Sequence, residues 1–274
     1  MKSQQVDLHL HTTASDGTWL PQELVAAAQL AGLGSFAVTD HETVANVAAT
    51  QKYAQEAGLN FVPGVEISTT EGQHSFHILG YGIDITNQHL LELLAHNENL
   101  LAQKDEDSIS KLIKQGWPLS LSTFADYRYD RRRGGWKALN YLQDLGLCVD
   151  VRDFFNRIFT ADNDLGFPVF PTMSETIQTI RQAGGVALLA HAASDFHGPG
   201  LDATLLQLAS QPLDGFECYH SGHSQEDTAT LVRYCHERGL LISGGSDCHG
   251  TFVPGRHLGE PLIFLEDLVL PGLL

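Results

Sequence analysis

The chain has 274 residues, enough for one large α/β domain or for a domain carrying an insertion. Hydrophobic residues make up 43% and charged residues 18%, which excludes wholesale disorder. With 16 Lys+Arg against 33 Asp+Glu the formal charge is −17, which argues against a sequence-independent nucleic-acid binder, since such proteins neutralise phosphates with basic side chains. The 14 His nearly equal all Lys and Arg together, and imidazole and carboxylate in quantity are the material of a transition-metal site. The 4 Cys form no CxxC pair, which excludes a zinc ribbon and a disulfide scaffold. The opening MKSQQVDLHLH holds no apolar signal-peptide core, and no run approaches the ~18 apolar residues that span a bilayer, so a cytoplasmic location is expected.

In chain order, short apolar, β-branched runs predict strands at 6–10, 35–38, 61–65, 76–81, 186–190, 215–219 and 240–243. Between the first two lies LPQELVAAAQLAGL, a helix with Pro21 in its first turn and Gly32 or Gly34 as its stop. Helices are also predicted over 43–58, 173–184, 202–210 and 225–239. This alternation implies parallel strands with crossover helices, an α/β barrel of about seven strands. From 87 to 171 strand signals disappear. Leu90, Leu94 and Leu101, then Ile109, Leu112 and Ile113, repeat at helical spacing around the charges KDEDS, and GGWKALNYLQDLG and DVRDFFNRIFTAD follow as helices. The expected organisation is a barrel from 1–88 and 172–274 with a mostly helical insertion over 89–171 that contributes to substrate binding.

The placement of His, Asp and Glu decides the chemistry. Strand one ends in His9 and His11, with Asp16 following in SDG; strand two ends in Asp40-His41 and strand three in Glu66; His77 lies on strand four. Later strands end in His191, His220 and the Asp247-Cys248-His249 run. Barrel strand ends converge on one mouth, where active sites are built. An isolated HxH is commonly two hydrogen-bonded strand histidines, Asp40 is a possible helix cap, and Glu66 or His191 alone reads as a satisfied core residue. Together, six His, two Asp and one Glu on successive strand ends would strand buried charges without cations, and they suffice for three metals with Glu66 as a bridge.

The HxH…SDG, TDH, GVE, HILGY, AH and GSDxH series resembles the PHP (polymerase and histidinol phosphatase) domain over about 1–90 and 172–250. It is most similar to the subgroup of nucleoside monophosphate and 3′,5′-bisphosphate phosphatases, whose first motif ends in SDG. The resemblance implies a distorted (β/α)7 barrel and a metal-dependent phosphoesterase. It also implies one metal on His9, His11 and Asp247, bridged by Glu66 to a second on His77 and His191, with a third on Asp16, His41 and His249. The set suits two to three Mn²⁺, Fe²⁺ or Zn²⁺ ions. Asp40 is expected to orient an imidazole.

A second signal is the basic island YRYDRRRGGWK, with Arg128, Arg131, Arg132, Arg133 and Lys137. An acidic protein needs local positive charge where an anion binds, and Arg132 and Arg133 are the expected phosphate contacts. Gly134-Gly135 before a helix offers free N–H groups for an anion. His197, in DFHGPG, is expected to contact the phosphate or protonate the leaving oxygen, and Asp247 to take the nucleophile's proton. One of His220 and His223 is expected at the mouth. The expected function is hydrolysis of a small phosphate monoester, a nucleotide of the AMP or 3′,5′-bisphosphate type, by a metal-bridging hydroxide attacking phosphorus. No membrane and no stable nucleic-acid partner are expected. Alternatives are a histidinol-phosphate phosphatase, a nuclease trimming oligonucleotide ends, and a non-catalytic metal-binding module.

Overall fold

Seven short runs rich in apolar and β-branched residues form one sheet in chain order: β1 (Gln5–Asp7), β2 (Leu33–Val38), β3 (Asn60–Glu71), β4 (His74–Tyr81), β5 (Val186–Leu189), β6 (Gly215–His220) and β7 (Leu241–Gly245). The computed structural model describes residues 4–194 and 198–274. The sheet curls until its edges meet. Just past β1, the Leu8 N–H donates to the Gly244 carbonyl at 3.1 Å, and Leu10 bridges Cys248 in the parallel sense. This is the expected distorted seven-stranded barrel.

Alternation of side chains along each strand separates an inside from an outside. Leu8, Ala37, Val62, Leu79, Tyr81 and Leu188 gather with Leu270 into one buried cluster, and the Tyr81 hydroxyl donates to the Leu8 carbonyl at 2.9 Å. Outside, α1 (Pro21–Leu30) lays Leu24, Val25 and Ala28 on Phe36 and Val38. α2 (Val47–Ala57) begins later than its sequence pattern predicts and stops at Gly58, whose φ of 71° suits glycine. α7 (Met173–Gln182) packs Ile177 and Ile180 on β4 and β5, and α8 (Leu201–Gln207) and α9 (Gln225–Arg238) complete the outer layer.

One strand runs against the expected direction. β3 and β4 form a hairpin across Gly72 and Gln73, and β4 is antiparallel to both β3 and β5. This reversal puts His77 at the mouth: it pairs with Ser68, two residues beyond Glu66.

Between β4 and β5 run α3 (Gln88–Lys114), α4 (Leu121–Asp126), α5 (Lys137–Asp144) and α6 (Val151–Asp153), the last continuing into a π-helical turn over Phe154–Ile158. α3 is one helix of 27 residues that passes straight through KDEDS. Glu106 and Asp107 face solvent there, while Asp105 is buried and accepts the Ala138 N–H at 3.1 Å. The first half of α3 packs Leu90 and Leu94 against the barrel, and its second half packs Ile109 and Leu112 into a separate core with Phe124, Leu139, Phe154 and Ile158. Among the described residues no helix is long and apolar enough to cross a membrane.

Candidate metal centre and substrate cavity

The strand ends bring all nine of the sequence-predicted ligand-type residues together. Three groups have donor atoms within 4.8 Å of one another: His9, His11, Glu66 and Asp247; His11, Asp16, His41 and His249; and His41, Glu66 and His77. Glu66 is the hub. Its Oε1 lies 3.0 Å from both His77 Nδ1 and His191 Nε2. Its Oε2 lies 3.1 Å from His41 Nδ1, 3.2 Å from His9 Nε2 and 3.3 Å from His11 Nε2.

These donors fit a metal. His9 Nε2, His11 Nε2 and Glu66 Oε2 are fully buried yet make no hydrogen bond among the described residues, an arrangement too costly to keep for packing alone. The electrostatics agree. Burial works against a charge on His11, but the carboxylates of Asp247, Glu66 and Asp16 beside it win and push it up to about 10. Burial pushes His41 down to about 3 and His191 down to about 4, so both present neutral lone pairs. Glu66 sits well below the usual carboxylate range despite its burial, because His41, His9 and His77 surround it. Mixed imidazole and carboxylate donors suit divalent transition metals.

Residues beyond these nine set their orientation. Glu217 on β6 accepts from His9 Nδ1 at 2.9 Å, which turns Nε2 inward, and also accepts the His191 N–H at 2.8 Å. Glu217 escapes a sequence reading because it looks like one polar residue in the alternation of GFECYH. Asp7 accepts the Ser246 and Gly259 N–H groups at 2.9 and 2.8 Å, joining β1 to the turns after β7. Among the described residues Asp40 makes no hydrogen bond to an imidazole. It accepts from Thr12 N–H at 2.7 Å and from the hydroxyls of Thr12 and Ser15, fixing the loop that carries Asp16. Glu42 accepts from Ser68 N–H at 2.7 Å and from Asn97 Nδ2 of α3 at 2.9 Å. Glu42, His191 and Asp247 all have positive φ, of 54°, 29° and 53°, a cost that non-glycine residues bear where the surroundings over-determine them. His220 is buried behind the cluster with Nε2 3.3 Å from Asp247, and Arg256 donates to the same carboxylate. His223 Nδ1 donates to the Cys218 carbonyl, and its Nε2 accepts the Ala193 N–H. His197 lies outside the described residues.

A cavity of 880 Å³ opens over the cluster. Asp16, His41, His77, His191, Asp247 and His249 line it. The same cavity is lined by the cations Lys104, Arg128, Arg131, Lys137 and Arg152 and the rings of Tyr127, Tyr129, Trp136, Phe155 and Phe167. The basic island reaches this wall selectively. Residues 131–133 form a 3₁₀ turn, in which successive side chains diverge by about 120°. Arg131 turns inward and donates to the carbonyls of Ala14 and Ser15 at 3.1 Å. Arg132 and Arg133, the expected phosphate contacts, turn to Glu23 at 2.7 Å and Asp144 at 2.8 Å and do not line the cavity. The N–H groups of Gly134 and Gly135 are likewise engaged, by the Arg131 and Asp16 carbonyls. Gly134 must be glycine: its φ is 73°, and a Cβ would lie 2.7 Å from the Asp16 oxygen.

The barrel, the strand-end cluster and the sequence agree on a class. The PHP domain matches residues 7–186, and the chain belongs to the PHP domain family; it is a metal-dependent hydrolase of phosphate esters. The chain is 32% identical over 264 residues to the 5′-3′ exoribonuclease Rnm of Escherichia coli, covering 93% of this chain and 88% of that protein. It is 26% identical to a 3′,5′-nucleoside bisphosphate phosphatase of Chromobacterium violaceum, covering 93% and 90%. A Bifidobacterium adolescentis structure described as a metal-dependent phosphoesterase superposes with a TM-score of 0.83 at 29% identity, over 96% of this chain and 94% of that one. A C. violaceum structure described as an amidohydrolase with bound sulfate superposes at 0.79 with 25% identity, over 93% and 89%.

Proposed function

We propose that this enzyme cleaves the ester at the 3′ oxygen of a nucleoside carrying a 5′-phosphate. On short RNA this releases 5′-mononucleotides from the 5′ end; on a nucleoside 3′,5′-bisphosphate it releases inorganic phosphate. The observation that carries the reading is one cavity lined both by a metal-type donor cluster and by cations among aromatic rings. A bare phosphate monoester needs no such wall, whereas bases stack on aromatic faces and phosphates pair with Arg and Lys. The names of the relatives, an exoribonuclease and a bisphosphate phosphatase, share this leaving oxygen and support the reading. The net charge of −17 limits the grip to the few phosphates that reach the local cations, consistent with short ends rather than long duplexes.

In this reading His9, His11, Asp16, His41, Glu66, His77, His191, Asp247 and His249 hold two or three divalent ions. Such ions supply Lewis-acid polarisation of the phosphoryl group and a low-pKa water. The chain's own residues do the rest. Glu217 keeps the His9 Nε2 lone pair turned inward, and Glu66 sits among the cluster-facing imidazole nitrogens. Asp247, fixed by Arg256 and His220, orients the attacking water and takes its proton. Arg128 and Arg131, in place of Arg132 and Arg133, meet the phosphates at the cavity wall. His197 is assigned the proton for the leaving 3′ oxygen on its chemistry alone.

The test is a panel of 5′-phosphorylated RNA of three to five nucleotides, a nucleoside 3′,5′-bisphosphate, AMP and histidinol phosphate, assayed with Mn²⁺ and after chelation. Expected are 5′-mononucleotides from RNA and phosphate from the bisphosphate, both abolished by chelation and restored by metal. Preferred turnover of histidinol phosphate, or RNA products that start from the 3′ end, would overturn it.

A further inference from the structure

We propose that Tyr127 and Tyr129 form a slot that takes one nucleobase of the substrate between their rings. This rests on the nucleotide reading above and names a binding site within it. The two tyrosines flank Arg128 on the stretch after α4, which leaves the helix at Tyr127 with extended backbone (φ −63°, ψ 136°). Residues two apart on extended chain project to the same side. Their rings are parallel to within 10°, with centroids 6.4 Å apart. That is at the far edge of the range in which two rings pair directly. A planar base needs ~6.8 Å between ring planes, twice the 3.4 Å rise of stacked bases, so the rings must part by at least ~0.4 Å to admit one.

Both rings are held before any ligand arrives. The Tyr127 hydroxyl donates to Asp144 Oδ2 at 2.5 Å, and Arg133 grips the same carboxylate. Burial and that bond push the Tyr127 phenol up to about 12, so it remains a donor. The Tyr129 hydroxyl donates to the Gly135 carbonyl at 3.0 Å, and the Gly135 N–H donates to the Asp16 carbonyl at 2.8 Å. The polar tips of both tyrosines, which line the cavity, are thus occupied, and the slot is tied directly to the loop bearing Asp16. A slot that offers ring faces and no vacant phenol holds any base by stacking and reads none by hydrogen bonding. The prediction is therefore base-tolerant recognition, with purines held more tightly than pyrimidines.

The test uses the full chain and a 5′-phosphorylated dinucleotide whose first base is 2-aminopurine, with the matching abasic dinucleotide as comparison. Binding to chelated wild type, followed by fluorescence, is expected to quench the 2-aminopurine by stacking; Tyr129→Phe keeps the quench and Tyr129→Leu loses it. With metal restored, the ratio of kcat/KM for the dinucleotide over its abasic analogue is expected to fall about tenfold in Tyr129→Leu, carried by KM, and to stay near wild type in Tyr129→Phe. Wild-type quenching and an unchanged ratio in Tyr129→Leu would overturn the slot while leaving the nucleotide reading intact. A wild type that cleaves neither dinucleotide would overturn the nucleotide reading, and the fluorescence arm would still decide the slot. Tyr127→Phe, which keeps the ring but frees Asp144, separates stacking from loss of structure: it is expected to keep the quench.

Discussion

Glu217 holds His9 and the backbone of His191 with one carboxylate, Oε1 at 2.9 Å from His9 Nδ1 and Oε2 at 2.8 Å from the His191 nitrogen. A carboxylate only accepts, so Nδ1 must carry the proton and Nε2 faces the cluster.

Glu217→Gln can satisfy one of those two donors but not both, because one of its oxygens becomes an NH₂. Metal affinity is expected to fall about 10- to 100-fold. Metal titration of the chelated variant, followed by retained metal content, checks this; affinity equal to wild type would remove Glu217 from the site.

Chelation should cost stability as well as activity. The cluster packs Asp16, Glu66 and Asp247 among six imidazoles, and cations bound only by the folded state stabilise it by about 2.7 kcal/mol at 100 times their dissociation constant. Thermal melts at increasing Mn²⁺ or Zn²⁺ should show a concentration-dependent rise in Tm that Glu66→Gln blunts.

Arginines in the 3₁₀ turn should divide by direction. Arg131→Ala removes two hydrogen bonds to the loop carrying Asp16 and is expected to lower kcat/KM at least about tenfold, since loss of a charged hydrogen bond is worth roughly 1.5–3 kcal/mol. Arg132→Ala breaks a pair with Glu23 whose side chains are 50% and 40% exposed, and is expected to change stability by under ~1 kcal/mol and kcat/KM little. Equal effects in the two variants would contradict the geometry.

Asn97, fully buried on α3, donates through Nδ2 to Glu42 at 2.9 Å and to the Ser68 carbonyl at 2.8 Å. Asn97→Ala leaves a buried carboxylate short of a donor and is expected to cost about 1–3 kcal/mol in urea denaturation. A smaller loss would mean that water fills the gap.

Acid sensitivity has a local signature at Asp153. Hydrogen bonds from Arg157, then from the Val149 N–H, lower its carboxyl from 3.8 to about 2. A carboxyl depressed on folding contributes stability that is fully present above its unfolded value and is lost as pH falls toward the folded one. The stability difference between wild type and Asp153→Asn should therefore shrink from pH 4 to pH 2. The Arg157 side chain is half exposed, so the difference should be small and should also shrink with salt.

What the sequence revealed follows the physics. Strands and ligand-type residues were legible together because each strand end combines apolar alternation with an ionisable residue that the alternation does not explain; His9, His11 and Asp247 are such positions. The direction of β4 was not legible, because a tight hairpin at Gly72 and a crossover leave similar local patterns. Arg132 and Arg133 were misdirected because their partners differ in kind from their neighbours: Glu23 lies 109 residues away. KDEDS reads as solvated charge, which holds for Glu106 and Asp107, while Asp105 is buried and spent on capping α5. Tyr127 and Tyr129 carried no signal, since two tyrosines two apart resemble any half-buried extended segment.

The seam between the segment after α4 and the Asp16 loop, made by Arg131 and Gly135, has an evolutionary consequence. It separates a fixed engine from an exchangeable guest pocket. Side chains of α5 and the π-helical turn pack into a core separate from the barrel's, so changes there leave the strand ends in place. The stretch from Tyr129 to Gly135 is held at both ends, by the Tyr129 hydroxyl on the Gly135 carbonyl and by the Gly135 N–H on the Asp16 carbonyl.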